Sequence, residues 1–195
     1  MRYPRDQKRK TRDRIVESAA ALFRGRGYAA TGVDAVMASA QLTAGAFYSH
    51  FSSKGALLAK ALDAAFRQSR RDWPDQLRTL RGRQWVREFA SFYLSEAHRD
   101  AADFGCPMPS LTPEICRGDA TVRTVFERHL RDLADTVAWH VDSAAPDRDR
   151  AISAIAVSVG GLMLSRAVKD RGFAEEILGA CRAAVVEACL ASKRQ

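Results

Sequence analysis

The chain has 195 residues and a mass of 21.5 kDa, room for one domain or two small ones at ~100–200 residues per domain. Apolar residues make up 47% and charged residues 28%, so the chain can bury a core and need not be disordered. The net charge is +8, and residues 1–58 hold ten basic against four acidic side chains, so a basic head precedes a nearly neutral body. Such a head suits nucleic acid or an anionic surface. The charge-crowded residues 1–14 lack the apolar run of a signal peptide, and the longest uncharged stretch in the apolar C-terminal part, 151–165, is too short for a bilayer. Four cysteines without a CxxC pair make neither a disulfide framework nor a zinc site. His98, His129 and His140 lack the i, i+4 spacing that chelates a metal. A cytoplasmic protein with reduced thiols, no metal and no cofactor is expected.

Helical period runs from end to end, and no segment sustains the alternation of a strand. Ile15, Ala19, Leu22 and Phe23 share one face of a first helix that Gly25 and Gly27 close near residue 26. Thr31 is placed to cap a short helix over 33–40, Thr43 another over 44–50, and Ser53 a third running from 54 to about 72. Trp73-Pro74 breaks the period, and residues 81–83 read as a connector. A helix over 84–99 follows, then a loop or broken helix over 100–113, where Gly105, Pro107, Pro109 and Pro113 crowd together. The period resumes over 120–141, breaks at Pro146, and returns in two last helices over 148–170 and 173–191. The expected fold is all-α with about nine helices.

The two short helices between residues 31 and 51, joined by a tight turn at Gln41-Leu42, form a helix-turn-helix. In that motif the second helix enters the major groove, and its first residues meet the base edges. Ala44, Gly45 and Ala46 are small enough for close backbone approach. Tyr48 and His50 offer polar tips for phosphate oxygens, and Phe47 and Phe51 point inward to pin the helix. Lys54 adds a cation and a helix N-terminus with open N–H groups. The neighbouring cluster Arg2, Arg5, Lys8, Arg9, Lys10, Arg12 and Arg14 would by itself be a solvated face; beside this motif it points to DNA.

Residues 15–23 (IVESAAALF) and 27–33 (GYAATGV), followed by 42–58 (LTAGAFYSHFSSKGALL), make the chain resemble the TetR family of transcriptional regulators over about residues 11–60. The resemblance implies a homodimer whose first three helices bind operator DNA, with a small effector and dimer contacts in the C-terminal helices. It places Thr43, Ala44, Gly45 and Ala46 at the base-facing start of the recognition helix. Tyr48, His50 and Lys54 match phosphate contacts, and Thr31 matches a helping hydroxyl. Gln41 departs from a common Gly, Met37 from a small Ala, and Ala46 from a DNA-reading Thr or Ser. The division expected is a DNA-binding domain at 1–58 and an effector-binding and dimerisation domain at 59–195.

In the body, Trp85, Phe89, Phe92 and Tyr93, with Phe126 and Trp139, read either as ordinary core or as the lining of an apolar effector cavity. Cys106 would sit at one end of that cavity, as a redox or electrophile sensor or as plain packing. Cys116, Cys181 and Cys189 read as structural. The last two helices are apolar over most of their circumference, so Val159, Leu162, Ile177, Cys181 and Val185 are expected in a four-helix dimer interface. The expected function is a ligand-responsive DNA-binding regulator, a repressor released from its operator by a small effector. The alternatives are a thiol-sensing regulator using Cys106 and a cysteine-dependent small-molecule enzyme. The enzyme lacks a visible base and leaves the basic head unexplained.

Overall fold

The computed structural model describes residues 5–191, and among these every regular element is a helix. The described residues form ten α-helices and one 3-10 helix, close to the roughly nine expected, the extra ones being short helices in stretches that glycine and proline had marked as breaks. Residues 75–79 form one such helix. The span 84–99 divides in two at Leu94, where the Ser95 hydroxyl accepts the His98 N–H at 3.1 Å and caps a new start. The proline-rich stretch becomes a helix over Pro107–Arg117, with Pro107 and Pro109 in its first turn, where the missing N–H groups would have no partner anyway.

The chain forms two compact units, residues 1–71 with 102–129, and residues 72–101 with 130–195. The first contains α1 (Arg5–Arg26), α2 (Val33–Ser39), the 3-10 helix (Ala44–Ser49) and α3 (Lys54–Arg71). To these it adds α7 (Pro107–Arg117) and the start of α8 (Ala120–Val141). Helix α1 ends where Gly27 adopts φ +86°, a left-handed turn that only glycine enters at little cost. It packs on α3, α2 and α7, and Ile15, Phe23, Leu57 and Leu62 are completely buried. Burying each such side chain contributes ~1.5–3 kcal/mol.

Arg24, on the last turn of α1, is also buried. Its Nε donates to the Ala20 carbonyl at 3.0 Å, Nη1 to the carbonyls of Phe104 and Gly105 at 3.2 and 3.0 Å, and Nη2 to Gln68 Oε1 at 3.2 Å. One guanidinium thus ties α1 to α3 and to a segment eighty residues away. The Asp63 carboxylate on α3 joins α8 similarly, pairing with Arg128 at 2.7 Å and His129 Nε2 at 2.8 Å, while the His129 ring stacks on Phe66.

The second unit contains α4 (Asp75–Thr79), α5 (Gly82–Tyr93), α6 (Glu96–Asp100), the rest of α8, α9 (Arg148–Ala167) and α10 (Arg171–Leu190). Helices α9 and α10 pack along their length, and α10 also covers α5. Gly161 makes the close approach possible: a Cβ there would lie 2.6 Å from the Cys181 sulfur. Arg182 donates to the Leu94 carbonyl at 2.6 Å and pairs with Glu175. Helix α9 is long and apolar enough to cross a membrane by length and composition, but Ala154, Ile155 and Leu162 are buried in this unit.

The thiols divide differently from the sequence reading. Cys106 and Cys189 are buried, Cys181 is half-buried, and Cys116, expected to be structural, is exposed near the end of α7. Burial pushes the Cys189 thiol up to about 11.

His98 and His140 both have pKa values below the ordinary 6.5, chiefly because burial disfavours their charged forms. The unfolded chain therefore binds more protons below pH 6.5, and stability should fall as the pH drops from about 6.5 toward the depressed folded values. Urea midpoints measured between pH 7.5 and 5.5 should decline, and His140→Asn should flatten the decline. A midpoint that rises on acidification would contradict this sign.

Candidate nucleic-acid interface

The helix-turn-helix begins with α2, whose Val36 and Met37 are buried. The larger side chain at 37 is wholly accommodated. The turn then requires a left-handed residue, and Gln41 supplies it at φ +56°. This is the position where the resemblance leads one to expect glycine. A side chain held in that region costs ~1–2 kcal/mol, so Gln41→Gly should raise stability by about 0.5–1 kcal/mol after glycine's extra chain entropy. A urea midpoint that does not rise would contradict the strain.

Thr43 sits at the N-cap of the recognition helix in an extended conformation, and its hydroxyl makes no cap bond. It is exposed, as are Ala44 and Gly45, and a Cβ on Gly45 would meet nothing within 4 Å. The helix is 3-10 rather than α over Ala44–Ser49, a form typical of runs this short. Phe47 is completely buried and stacks on buried Phe51 at 5.8 Å, which aims the opposite face outward. Tyr48 stands on that face, 75% exposed and braced edge-on against Phe47. Ala46 is half-buried and carries no polar group toward the outside.

His50 closes the helix, half-buried, with its Nδ1 buried and without a hydrogen-bond partner. Burial first, then the charges of Lys8 and Arg12, push its pKa below 6.5. An uncharged imidazole keeps one N–H donor and one acceptor nitrogen, so beside these two cations it can offer a single N–H to a phosphate oxygen. Ser53 caps α3, its hydroxyl accepting the Ala56 N–H at 3.0 Å. Lys54 opens that helix, and its Nζ donates to the Tyr28 carbonyl at 2.6 Å and lies 4.2 Å from the Tyr28 ring centroid. Two of its three donors remain for a phosphate, next to the open N–H groups of the helix start.

Thr31 does not join this face. It is 1% exposed, and its hydroxyl donates to the Gly27 carbonyl at 2.8 Å, so it closes the loop after α1. The cap of α2 falls to Gly32 instead. Arg14 stays exposed but donates to the Ala40 carbonyl, tying α1 to the turn. Arg12 covers the Phe51 ring at 4.8 Å, and Arg9 and Lys10 pair with Asp6 in solvent. Arg2 and the Arg5 side chain lie outside the described residues. Sequence reasoning missed Arg24, Tyr28 as the Lys54 partner, and the structural use of Arg14; only the length and charge of these side chains signalled a tie.

The segment from residue 15 to residue 61 matches the family profile described as bacterial regulatory proteins, tetR family. The match spans the helix-turn-helix head and gives that segment the character of a TetR-family DNA-binding head. The matched segment is a DNA-binding helix-turn-helix. The fold is similar to that of a TetR-family regulator from Cytophaga hutchinsonii, with a TM-score of 0.78, 20% identity, and 96% of this chain and 98% of that one covered. A TetR regulator from Chloroflexus aurantiacus has a TM-score of 0.76 and 25% identity, over 93% and 97% of the two chains. Reduced NemR from E. coli has a TM-score of 0.74 and 16% identity, over 89% and 96%. No curated protein matches the chain.

The residues expected around an effector fall into both units. Trp85, Phe89 and Tyr93 are buried in the second: Trp85 stacks on Phe89 at 4.8 Å and on His140 at 4.9 Å, and its Nε1 donates to the Leu77 carbonyl at 2.9 Å. Phe92 is half-buried, and Trp139 is 45% exposed beneath the Arg81 guanidinium at 3.9 Å. Cys106 and Phe126 belong to the first unit, where Phe126 packs on Phe66. Of the residues expected at a dimer interface, Leu162 and Val185 are fully buried within the chain, where no second copy can reach them. Val159, Ile177 and Cys181 are half-buried.

Lys54→Ala should weaken binding to all DNA sequences alike. The log–log salt slope should become shallower by about 0.9 for each phosphate that the variant no longer neutralises. Filter binding across salt concentrations checks this; an unchanged slope would exclude Lys54 from the phosphate contacts.

Proposed function

We propose that this chain is a TetR-family transcription regulator, a homodimeric, cytoplasmic repressor that binds double-stranded operator DNA and releases it when a small molecule binds the body. The observation that carries the reading is the outward face of the recognition helix. Thr43, Ala44, Gly45 and Tyr48 are exposed there, while Phe47 fixes the helix from behind. Thr43, the small residues and Ala46 meet base edges; Tyr48, His50 and Lys54 hold phosphates. Residues 1–58 act as the DNA-binding domain, and 59–195 bind effector and partner. Release follows if the effector favours a dimer whose recognition helices no longer match half-sites about one DNA turn apart.

Gel shift against the DNA upstream of the chain's own coding sequence tests the reading. Thr43→Ala should cost ~1–3 kcal/mol on the preferred site and little on random DNA. Equal binding of all sequences by wild type would refute a sequence-specific repressor.

A thiol-sensing reading has two supports: Cys106 at the N-cap of α7, where a helix terminus favours a thiolate, and the likeness to reduced NemR. Against it, Cys106 is only 5% exposed, and a sensor thiol needs access. Cys106→Ser should leave release unchanged under oxidants; loss of release would favour the thiol reading.

A further inference from the structure

Outside the head, charge concentrates where α9 turns into α10. A cleft of about 340 Å³ opens there, walled by Arg99 and Asp100 from α6, Arg166 from α9, Lys169 and Asp170 from the turn, and Arg171 from α10. Four cations thus face two carboxylates. Both carboxylates already have partners. Asp170 caps α10, accepting the Phe173 N–H at 2.7 Å, and Asp100 accepts from Arg99 Nε at 2.8 Å and Nη2 at 3.3 Å. Arg166 donates to the carbonyls of Arg99 and His98 at 2.9 and 2.7 Å, which fixes the α6 wall.

The remaining donors have no such partners. Arg99 is 7% exposed, yet its Nη1 is buried with no hydrogen-bond partner. A buried guanidinium N–H without an acceptor is costly, and in native proteins such a group calls for a reason. Lys169 and Arg171 are exposed and make no ion pair among the described residues. At the positive end of α10, a twenty-residue helix, Asp170 takes the N–H groups of Phe173 and Ala174, which leaves those of Arg171 and Gly172 at the helix start.

We propose that this cleft binds a small oxyanion, the carboxylate or phosphate group of a metabolite-sized molecule. Arg99, Lys169, Arg171 and the α10 N-terminus hold it. The orphaned Arg99 nitrogen and the helix terminus are independent features that call for the same chemistry. The field around the cleft agrees. The Arg99 hydrogen bond above all, with the charges of Arg99, Arg171 and Arg166, holds the Asp100 carboxyl below its ordinary range. Glu96 and Glu175 also act on Arg99 through their charge, but Glu175 is paired with Arg182, and Lys169 and Arg171 are left for an added anion, which an apolar effector cannot supply. The site depends neither on what the head binds nor on whether the body takes an apolar effector elsewhere.

Titration calorimetry on the full-length protein tests it, with inorganic phosphate in one arm, citrate in a second, and chloride at matched ionic strength as the reference. The basic head also attracts anions, so the deciding comparison is the double variant Lys169→Gln/Arg171→Gln. Both side chains are exposed, and the fold should survive with its circular dichroism and its DNA affinity unchanged. Saturable binding by wild type, at least tenfold weaker in the double variant, is the expected result. Phosphate alone binding would mark a phosphoryl ligand, and citrate alone a carboxylate. Arg99→Gln should weaken binding as much; if it fails to fold, the double variant still decides. Equal binding by wild type and double variant, or no saturable binding of either anion beyond chloride, overturns the proposal.

Discussion

Trp85→Ala should destabilise the protein by ~3–5 kcal/mol, the range for removing a large aromatic from a packed core. Trp85 is completely buried between Phe89 and His140, and Trp73 lies 6.3 Å away, so no neighbour is free to fill the void. The substitution also leaves the Leu77 carbonyl without its donor. Against a total of ~5–15 kcal/mol for a folded domain, the loss is a large share. Urea unfolding monitored by circular dichroism measures it. A cost below ~1 kcal/mol would mean that the indole borders an empty pocket, and the effector reading of Trp85 would then regain its footing.

If the proposed homodimer pairs through α9, Val159→Arg should split it while leaving the protomer folded. Val159 shares the outward stripe of α9 with Ile152, Ala156 and Met163, and Ile152 is 47% and Met163 37% exposed. Leu164 on the same side is 60% exposed, and Phe173 at the start of α10 is 51% exposed. Exposed apolar side chains gathered on one face mark an interaction site, and an isologous pairing of two copies would cover them. Disturbing a central anchor costs ~2 kcal/mol or more, which is roughly a 30-fold weaker association. Light scattering should give twice 21.5 kDa for wild type and 21.5 kDa for the variant at micromolar concentration. Operator affinity should fall with it, since half a dimer reaches one half-site. Val185→Glu makes the contrast: that side chain is fully buried in the protomer, so it should unfold the chain. A dimeric Val159→Arg variant with full affinity would place the interface elsewhere.

The helices were legible wherever one apolar face repeats at 3.6 residues, as in Ile15, Ala19 and Phe23. The recognition helix was legible because Phe47 and Phe51 alternate with small and polar residues. Elsewhere the pattern was silent for physical reasons. Helices α9 and α10 are apolar on both sides, so periodicity could not tell the face covering the protomer's own core from the face left for a partner. Hence Leu162 and Val185, expected outside, are inside, while Ile152 and Leu164 are outside. Thr31 read as a DNA-facing hydroxyl because composition does not tell which way a side chain turns. Its proton goes to Gly27, whose left-handed geometry brings that carbonyl within reach. The break at Ser95 was hidden because a cap within an apolar run looks like one more helical residue.

The four bonds of Arg24 bear on how such regulators exchange parts. A graft that transfers only the first 58 residues onto a foreign body would carry this cation away from Gln68 and from the Phe104 and Gly105 carbonyls. Of its acceptors only Ala20, in its own helix, would travel with it. A buried guanidinium stripped of acceptors is among the costliest defects a core can hold. The transferable module is therefore discontinuous, residues 1–71 together with 102–129. Recombination between relatives would preserve folding when it exchanges both pieces at once, and a single crossover near residue 58 would yield a head that recognises DNA on paper and melts in practice.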